Sequence, residues 1–239
     1  MRLSDFDALS FDCYGTLIDW ETGILGVLGP WAGGQGLSLS DDELLAIYGE
    51  LESRAELDHP TLPYPEILAR SFLAVGDQLG ATVTLAESQG LGRSVQHWPA
   101  FPDSHDSLVA LAKHYSLIIL SNVDRDSFAH SSRRLDVEFD RVLTAQDIGS
   151  YKPSGRNFKA LNSETERMGI ADGKLLHVAQ SLFHDHVPAK KYGLPTVWIN
   201  RRTTRGGWGA TPAPPVDVKP DWEFASMAEF SAAVEAAHH

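Results

Sequence analysis

The sequence has a single cysteine in 239 residues. One thiol excludes a disulfide scaffold and any cysteine-rich zinc or iron–sulfur site. It fits a reducing compartment, and the expected location is the cytoplasm. No apolar run reaches the roughly 18 to 20 residues that a membrane-spanning helix needs. The N-terminal stretch MRLSDFDALSF lacks a long apolar core before a small-residue cleavage site, so no secretory signal is expected. Basic residues are also scarce. Twenty Lys and Arg stand against 32 Asp and Glu, a formal charge of -12. That balance argues against the basic footprint nucleic acid requires. Neither nucleic acid nor membrane is expected as a partner. Such a chain can still hold a small anion, but only through a few locally placed cations and amides. There is no Gly-x-Ser-x-Gly elbow and no dinucleotide glycine fingerprint.

What is present is an alternation. Phe6–Phe11, Ser116–Ser121, Arg141–Thr144, Leu175–Ala179 and Thr196–Asn200 read as short buried strands. Helical patterns lie between the later ones, at about 103–114, 125–135, 156–168 and 185–192. Apolar strands alternating with helices predict an α/β fold with a parallel sheet flanked by helices. The alternation breaks once. From about Trp20 to Trp98 every signal is helical, including capping boxes at Ser40/Glu43 and Thr84/Glu87. The expected organisation is a discontinuous core, residues 1–19 and 99–239, with an inserted all-helical cap at 20–98. The Gly- and Pro-rich stretch Thr203–Pro220 reads as a surface loop. A final helix is expected from Ser226, with a third capping box to Glu229.

Ligands of an open parallel sheet bind at the carboxyl ends of its strands. The first strand runs out into Asp12-Cys13-Tyr14-Gly15-Thr16-Leu17, and the second ends at Ser121-Asn122. The third leads to Lys152-Pro153, and the fourth to Gln180-Ser181 and on to Asp185. An acid after a strand is, taken alone, most often a helix cap or a solvated turn. Here two carboxylates, a hydroxyl–amide pair and an amine converge on one rim.

These four motifs, in this order and over almost the whole chain, resemble the haloacid dehalogenase (HAD) superfamily. The resemblance implies a Rossmann-like core, a cap inserted after the first motif, and a nucleophilic first aspartate that forms a covalent intermediate. Two positions suggest the branch. Phosphatases of the superfamily carry a second aspartate two residues after the nucleophile, where this chain has Tyr14. They also carry a magnesium-binding aspartate in the fourth motif, where this chain has Gln180. Magnesium prefers carboxylate oxygen, and a phosphoryl group needs its charge neutralised. The run Phe11-Asp12-Cys13-Tyr14-Gly15-Thr16-Leu17 instead resembles the type II (S)-2-haloacid dehalogenases, which implies no metal and no cofactor.

By that resemblance Asp12 attacks C2 of a small 2-substituted carboxylate and forms an aspartyl ester. Water, positioned by Asp185, then releases a 2-hydroxy acid. Lys152 holds Asp12 ionised, while Thr16 and Ser121 fix carboxylates. Asn122 offers an N–H to a departing halide. Cys13, Tyr14, Trp20 and Ser181 complete the expected substrate contacts. Arg54 is the first candidate for the halide ligand, with Arg70 and Arg93 behind it. A homodimer is implied as well.

The branch's usual motif-four serine and asparagine are replaced by Gln180 and Leu182, which leaves other readings open. Asp19-Trp20-Glu21-Thr22-Gly23, with Leu51-Glu52-Ser53 and Tyr64, resembles a subgroup that includes L-azetidine-2-carboxylate hydrolase. There the same attack would open a four-membered ring. A HAD-type phosphatase and a non-catalytic binding protein are further alternatives. His184-Asp185-His186 looks metal-like, but no third ligand is evident from spacing, and no metal is expected. Arg201, Arg202 and Arg205 read as a solvated basic cluster.

Overall fold

The computed structural model describes residues 1–239. Its sheet contains β1 (Ala8–Phe11), β2 (Ser116–Ser121), β3 (Arg141–Thr144), β4 (Leu175–Ala179), β5 (Thr196–Ile199) and β6 (Trp222–Phe224). The strands are all parallel, in the order β3-β2-β1-β4-β5-β6. β1 and β4 are buried along their whole length, as expected of strands covered on both faces. From β1 the chain winds outward first through β2 and β3, then through β4, β5 and β6. The direction reverses between β1 and β4, which makes their carboxyl ends the switch point of the sheet.

Four helices occupy residues 20–94, after β1. They are α1 (Trp20–Gly34), α2 (Asp41–Asp58), α3 (Tyr64–Leu79) and α4 (Leu85–Ser94). Ser40 and Thr84 each accept a hydrogen bond from the third helical amide, and Glu43 and Glu87 bond back to them. Both ends of each capping box are therefore made. The remaining helices are α5 (Ser104–Leu111), α6 (Arg125–Leu135), α7 (Ala145–Ile148), α8 (Gly155–Arg167), α9 (Val187–Lys191) and α10 (Met227–His238). No helix is long and apolar enough to cross a membrane.

One buried apolar cluster joins Leu9 and Phe11 of β1 to Leu45 of α2 and Phe72 of α3. Each such side chain contributes about 1.5–3 kcal/mol when fully buried. The helical segment is thus packed onto the sheet by the same continuous core.

The structure departs from the sequence reading in several places. β6 was not expected, because three residues after a proline-rich loop carry no readable period. It pairs with β5 at the sheet edge. The helix expected at 185–192 is a π-helical turn, Leu182–His186, followed by the short α9. At Ser226 only half of the predicted capping box forms, since Glu229 bonds to the amide of Ala225. The loop at 203–220 has no regular structure, but Ala210 within it is fully buried. It lies against Gly49 of α2, where an added Cβ would come 2.3 Å from the Ala210 carbonyl oxygen.

Arg201 and Arg202 are not solvated. Arg202 is buried between Glu21 of α1 and Asp42 of α2. Arg201 pairs with Asp103, donates to the carbonyl of Thr16, and stacks on Phe101. Carboxylates distant in sequence, which no local pattern reveals, pull both guanidinium groups inward.

Candidate active site

Asp12 is the first residue beyond β1, and its amide still bonds to Val178 of β4. The chain then turns back at Gly15, whose φ of +92° suits only glycine. An added Cβ there would also crowd Trp20 and Gln180, at 3.0 and 3.1 Å. The turn brings the hydroxyl of Thr16 back to donate to Asp12 Oδ2 at 2.7 Å. Lys152 approaches from beyond α7. Its ammonium donates to Asp12 Oδ1 at 2.9 Å, Asp185 Oδ1 at 2.7 Å and the Leu120 carbonyl at 3.0 Å. All three of its protons are thereby used.

Asn122 holds the lysine backbone. The Lys152 amide donates to Asn122 Oδ1 at 2.6 Å, and Asn122 Nδ2 donates to the Lys152 carbonyl at 3.0 Å. The other amide proton of Asn122 goes to the carboxyl of Glu56. Behind Asp185 lies His177 of β4. Its Nε2 is 2.9 Å from Asp185 Oδ1, and its Nδ1 is 2.8 Å from the hydroxyl of Ser10. Asp185 Oδ2 is buried without a partner.

These contacts set the charges. Burial opposes the charge of Lys152, but Asp12 and Asp185 outweigh it and push the lysine pKa up. Burial likewise opposes ionisation of Asp185, yet Lys152 and His177 hold its carboxyl well below the usual range. Asp12 goes the other way. Burial raises its pKa, and Lys152 and Thr16 offset this only in part. The expectation that the lysine would dominate at Asp12 is therefore corrected, because the same ammonium is shared with Asp185.

Above this rim is a small cavity. Asp12, Ser121, Asn122, Lys152, Ser181 and Asp185 line it from the sheet side, with Tyr14 and Trp20. Tyr14 presents its ring, while its hydroxyl bonds to Ser131 at 2.6 Å and so is turned away. Ser181 caps the π-helical turn by accepting from the His184 amide. The hydroxyl of Ser121 has no partner.

Three expected contacts are absent. Arg54 is exposed and lies 3.8 Å from Asp58, and Arg70 and Arg93 are exposed too. Arg54 falls on the outer face of α2, two residues from each of the buried positions Glu52 and Glu56. Cys13 is buried in the apolar core and does not line the cavity. Asn122 has no N–H left for a halide, because Glu56 and Lys152 take both.

Glu56, which the sequence reading missed, and Glu52, which it named only within Leu51-Glu52-Ser53, complete the wall. Glu52 and Glu56 of α2 are buried and face the cavity, with Tyr64 beside them. Tyr48 and Tyr64 both donate to Glu52 Oε1, at 2.9 and 3.0 Å. Burial lifts Glu52 to about 7. Burial and the neighbouring Glu52 push Glu56 far higher, with Lys152 and Asn122 opposing. The available signal was periodicity. Tyr48, Glu52 and Glu56 continue the buried face of Leu44 and Leu45 at four-residue steps.

An all-parallel sheet in the order β3-β2-β1-β4-β5-β6, with a buried aspartate at its switch point, is a Rossmann-like α/β fold. Solved structures bear this out. An L-2-haloacid dehalogenase from Xanthobacter autotrophicus with chloropropionic acid covalently bound superposes with a TM-score of 0.76 at 16% identity, over 96% of this chain and 98% of that one. A defluorinating L-2-haloacid dehalogenase gives 0.73 at 20%, over 96% and 95%. A Bacillus subtilis protein assigned to the HAD-hydrolases, YfnB, bound to magnesium, gives 0.73 at 18%, over 98% and 100%. No family model and no curated protein matches the sequence. Identities this low establish the shared fold.

The residues here do not suit a magnesium site of the kind the last neighbour implies. No three His, Cys, Asp or Glu side chains are arranged to hold a metal. Gln180 stands at the motif-four position, and the Lys152 ammonium already bridges the two carboxylates.

Proposed function

We propose that the protein is a metal-independent hydrolase acting at C2 of small 2-substituted carboxylic acids through an ester on Asp12. The observation that carries this reading is the buried Asp12–Lys152–Asp185 bridge at the sheet's switch point. Lys152 and Thr16 orient the Asp12 carboxylate and limit its hydration for attack on C2. The bond from C2 to the leaving group breaks, and the electron pair departs with that group. Water then attacks the acyl carbon of Asp12. Asp185 Oδ2, which has no other partner, accepts a proton from that water. His177 and Lys152 hold the opposite oxygen and so aim Oδ2.

The dehalogenase neighbours support an (S)-2-haloacid as substrate, with halide leaving and a 2-hydroxy acid formed. One observation favours a second reading, opening of L-azetidine-2-carboxylate. No arginine lines the cavity, while two buried glutamates do. A single turnover in oxygen-18 water tests the shared mechanism. Label in the Asp12 carboxylate is expected, and label confined to product would mean direct attack by water. EDTA is expected to leave the activity intact. Phosphatase activity lost to EDTA would overturn the assignment.

A further inference from the structure

Four carboxyl groups face this cavity: Asp12 and Asp185 from the sheet rim, and Glu52 and Glu56 from α2. One ammonium, that of Lys152, opposes them, and its three protons are already committed. His184, the nearest other base, is kept neutral by burial, its pKa lowered to about 4. Even with a proton on Glu56, the carboxyls outnumber the single ammonium, which disfavours a departing halide and favours a cation. Three buried polar atoms at the cavity lack any partner: Ser121 Oγ, His184 Nε2 and Asp185 Oδ2. They point to a polar ligand. The aromatic side chains of Tyr14, Trp20 and Tyr64, which line the cavity, suit a cationic one.

We propose that Glu52 and Glu56 form a receptor for a basic nitrogen bonded to C2 of the substrate, and that Glu56 protonates this nitrogen as the C2–N bond breaks. The proposal rests on Asp12 as the attacking group. Glu56 is suitably placed. Its carboxyl is held by Asn122, and His184 Nε2 lies 3.9 Å from its Oε2. A proton on Glu56 is also the arrangement that relieves the crowding of negative charge.

The step balances as follows. An Asp12 carboxylate oxygen bonds to C2 while C2–N breaks, and the bonding pair stays on nitrogen. A ring ammonium thereby becomes a neutral amine. Glu56 gives its carboxyl proton to that lone pair and becomes carboxylate, paired with the new primary ammonium. Protonation removes the lone pair that would otherwise attack C2 again and reverse the step. Hydrolysis of the ester by water liberates one proton, which restores Glu56. An unstrained amine leaves poorly, so the substrate class is a 2-carboxylate whose C2–N bond belongs to a small strained ring.

The groups facing Glu56 are Glu52 on its own helix, Asp12 and Lys152 from the rim, His184 from the π-helical turn, and Tyr48, Tyr64 and Tyr151. Of these groups, only Glu56 and Glu52 are carboxyls that burial raises without direct contact to the lysine.

The test compares L-azetidine-2-carboxylate with (S)-2-chloropropionate on the wild-type protein, Glu56→Gln and Glu56→Asp. The expected result is turnover of the azetidine, with Glu56→Gln shifting the kcat/KM ratio toward chloropropionate by about 100-fold or more. Glu56→Asp should restore part of the loss. In the wild type, kcat/KM for the azetidine should fall as Glu56 deprotonates at high pH, with no parallel fall for chloropropionate. This profile needs no variant to fold. Chloropropionate turnover with an Asp12 ester, and none with the azetidine, overturns the nitrogen receptor and leaves the Asp12 mechanism standing. Azetidine turnover unaffected in Glu56→Gln overturns the role of Glu56. Absence of turnover and of label in Asp12 with either substrate refutes the Asp12 reading, and this proposal with it.

Discussion

Lys152 Nζ lies 2.9 Å from Oδ1 of Asp12, although 140 residues separate them in the chain. The lysine is 1% exposed, so the pair is out of water. The ammonium bridges two buried carboxylates and offsets charge that burial would otherwise penalise.

Replacing that ammonium should be severe. In Lys152→Met, Asp12 and Asp185 face each other unneutralised, and removing one partner of a buried ion pair costs about 3–5 kcal/mol. Chemical denaturation is expected to report a loss of that order, and catalysis should be undetectable. Lys152→Arg should not rescue either, since a planar guanidinium cannot make the same three contacts.

His177 touches Asp185 and is remote from the cavity, so it is a positioning residue. His177→Phe keeps the ring volume and removes the hydrogen bond. Hydrolysis of the ester should slow about 10- to 100-fold. Formation of the ester should be much less affected, so the Asp12 adduct accumulates and intact-mass spectrometry sees it. An unchanged adduct level would remove His177 from the mechanism.

The raised pKa of Glu52 makes stability depend on pH. Its carboxyl titrates near 4.5 when unfolded and at about 7 when folded. Between those values the native state binds the extra proton, so this group's contribution declines as pH rises from 4.5 through 7. Glu52→Gln keeps an acceptor for Tyr48 and Tyr64 but cannot ionise. The variant should gain stability relative to wild type on going from pH 5 to pH 8, measured by thermal unfolding at both.

Two arginines should behave oppositely. Arg202→Leu leaves Glu21 and Asp42 without their shared partner and loosens α1, α2 and the 203–220 loop from one another. Loss of such charged hydrogen bonds costs about 1–3 kcal/mol. Arg54→Ala removes a solvated side chain and should change neither Tm nor turnover.

The strand–helix alternation, the helical stretch after β1 and the rim positions Asp12, Ser121, Lys152 and Asp185 are readable along the chain alone. These are local signals, because period, capping and strand ends are written in neighbouring residues. The Gln180 and Tyr14 substitutions were equally legible. Tertiary structure alone decided what meets that rim. Glu52 and Glu56 look like solvated helix acids until packing turns their face inward, and Arg54 looks equally available until the same rotation turns it out. Arg202 reads as loop charge until Glu21 and Asp42 arrive from other elements. The reason is physical: the charge a buried cavity carries is a sum over side chains from distant segments, and no window along the chain contains that sum.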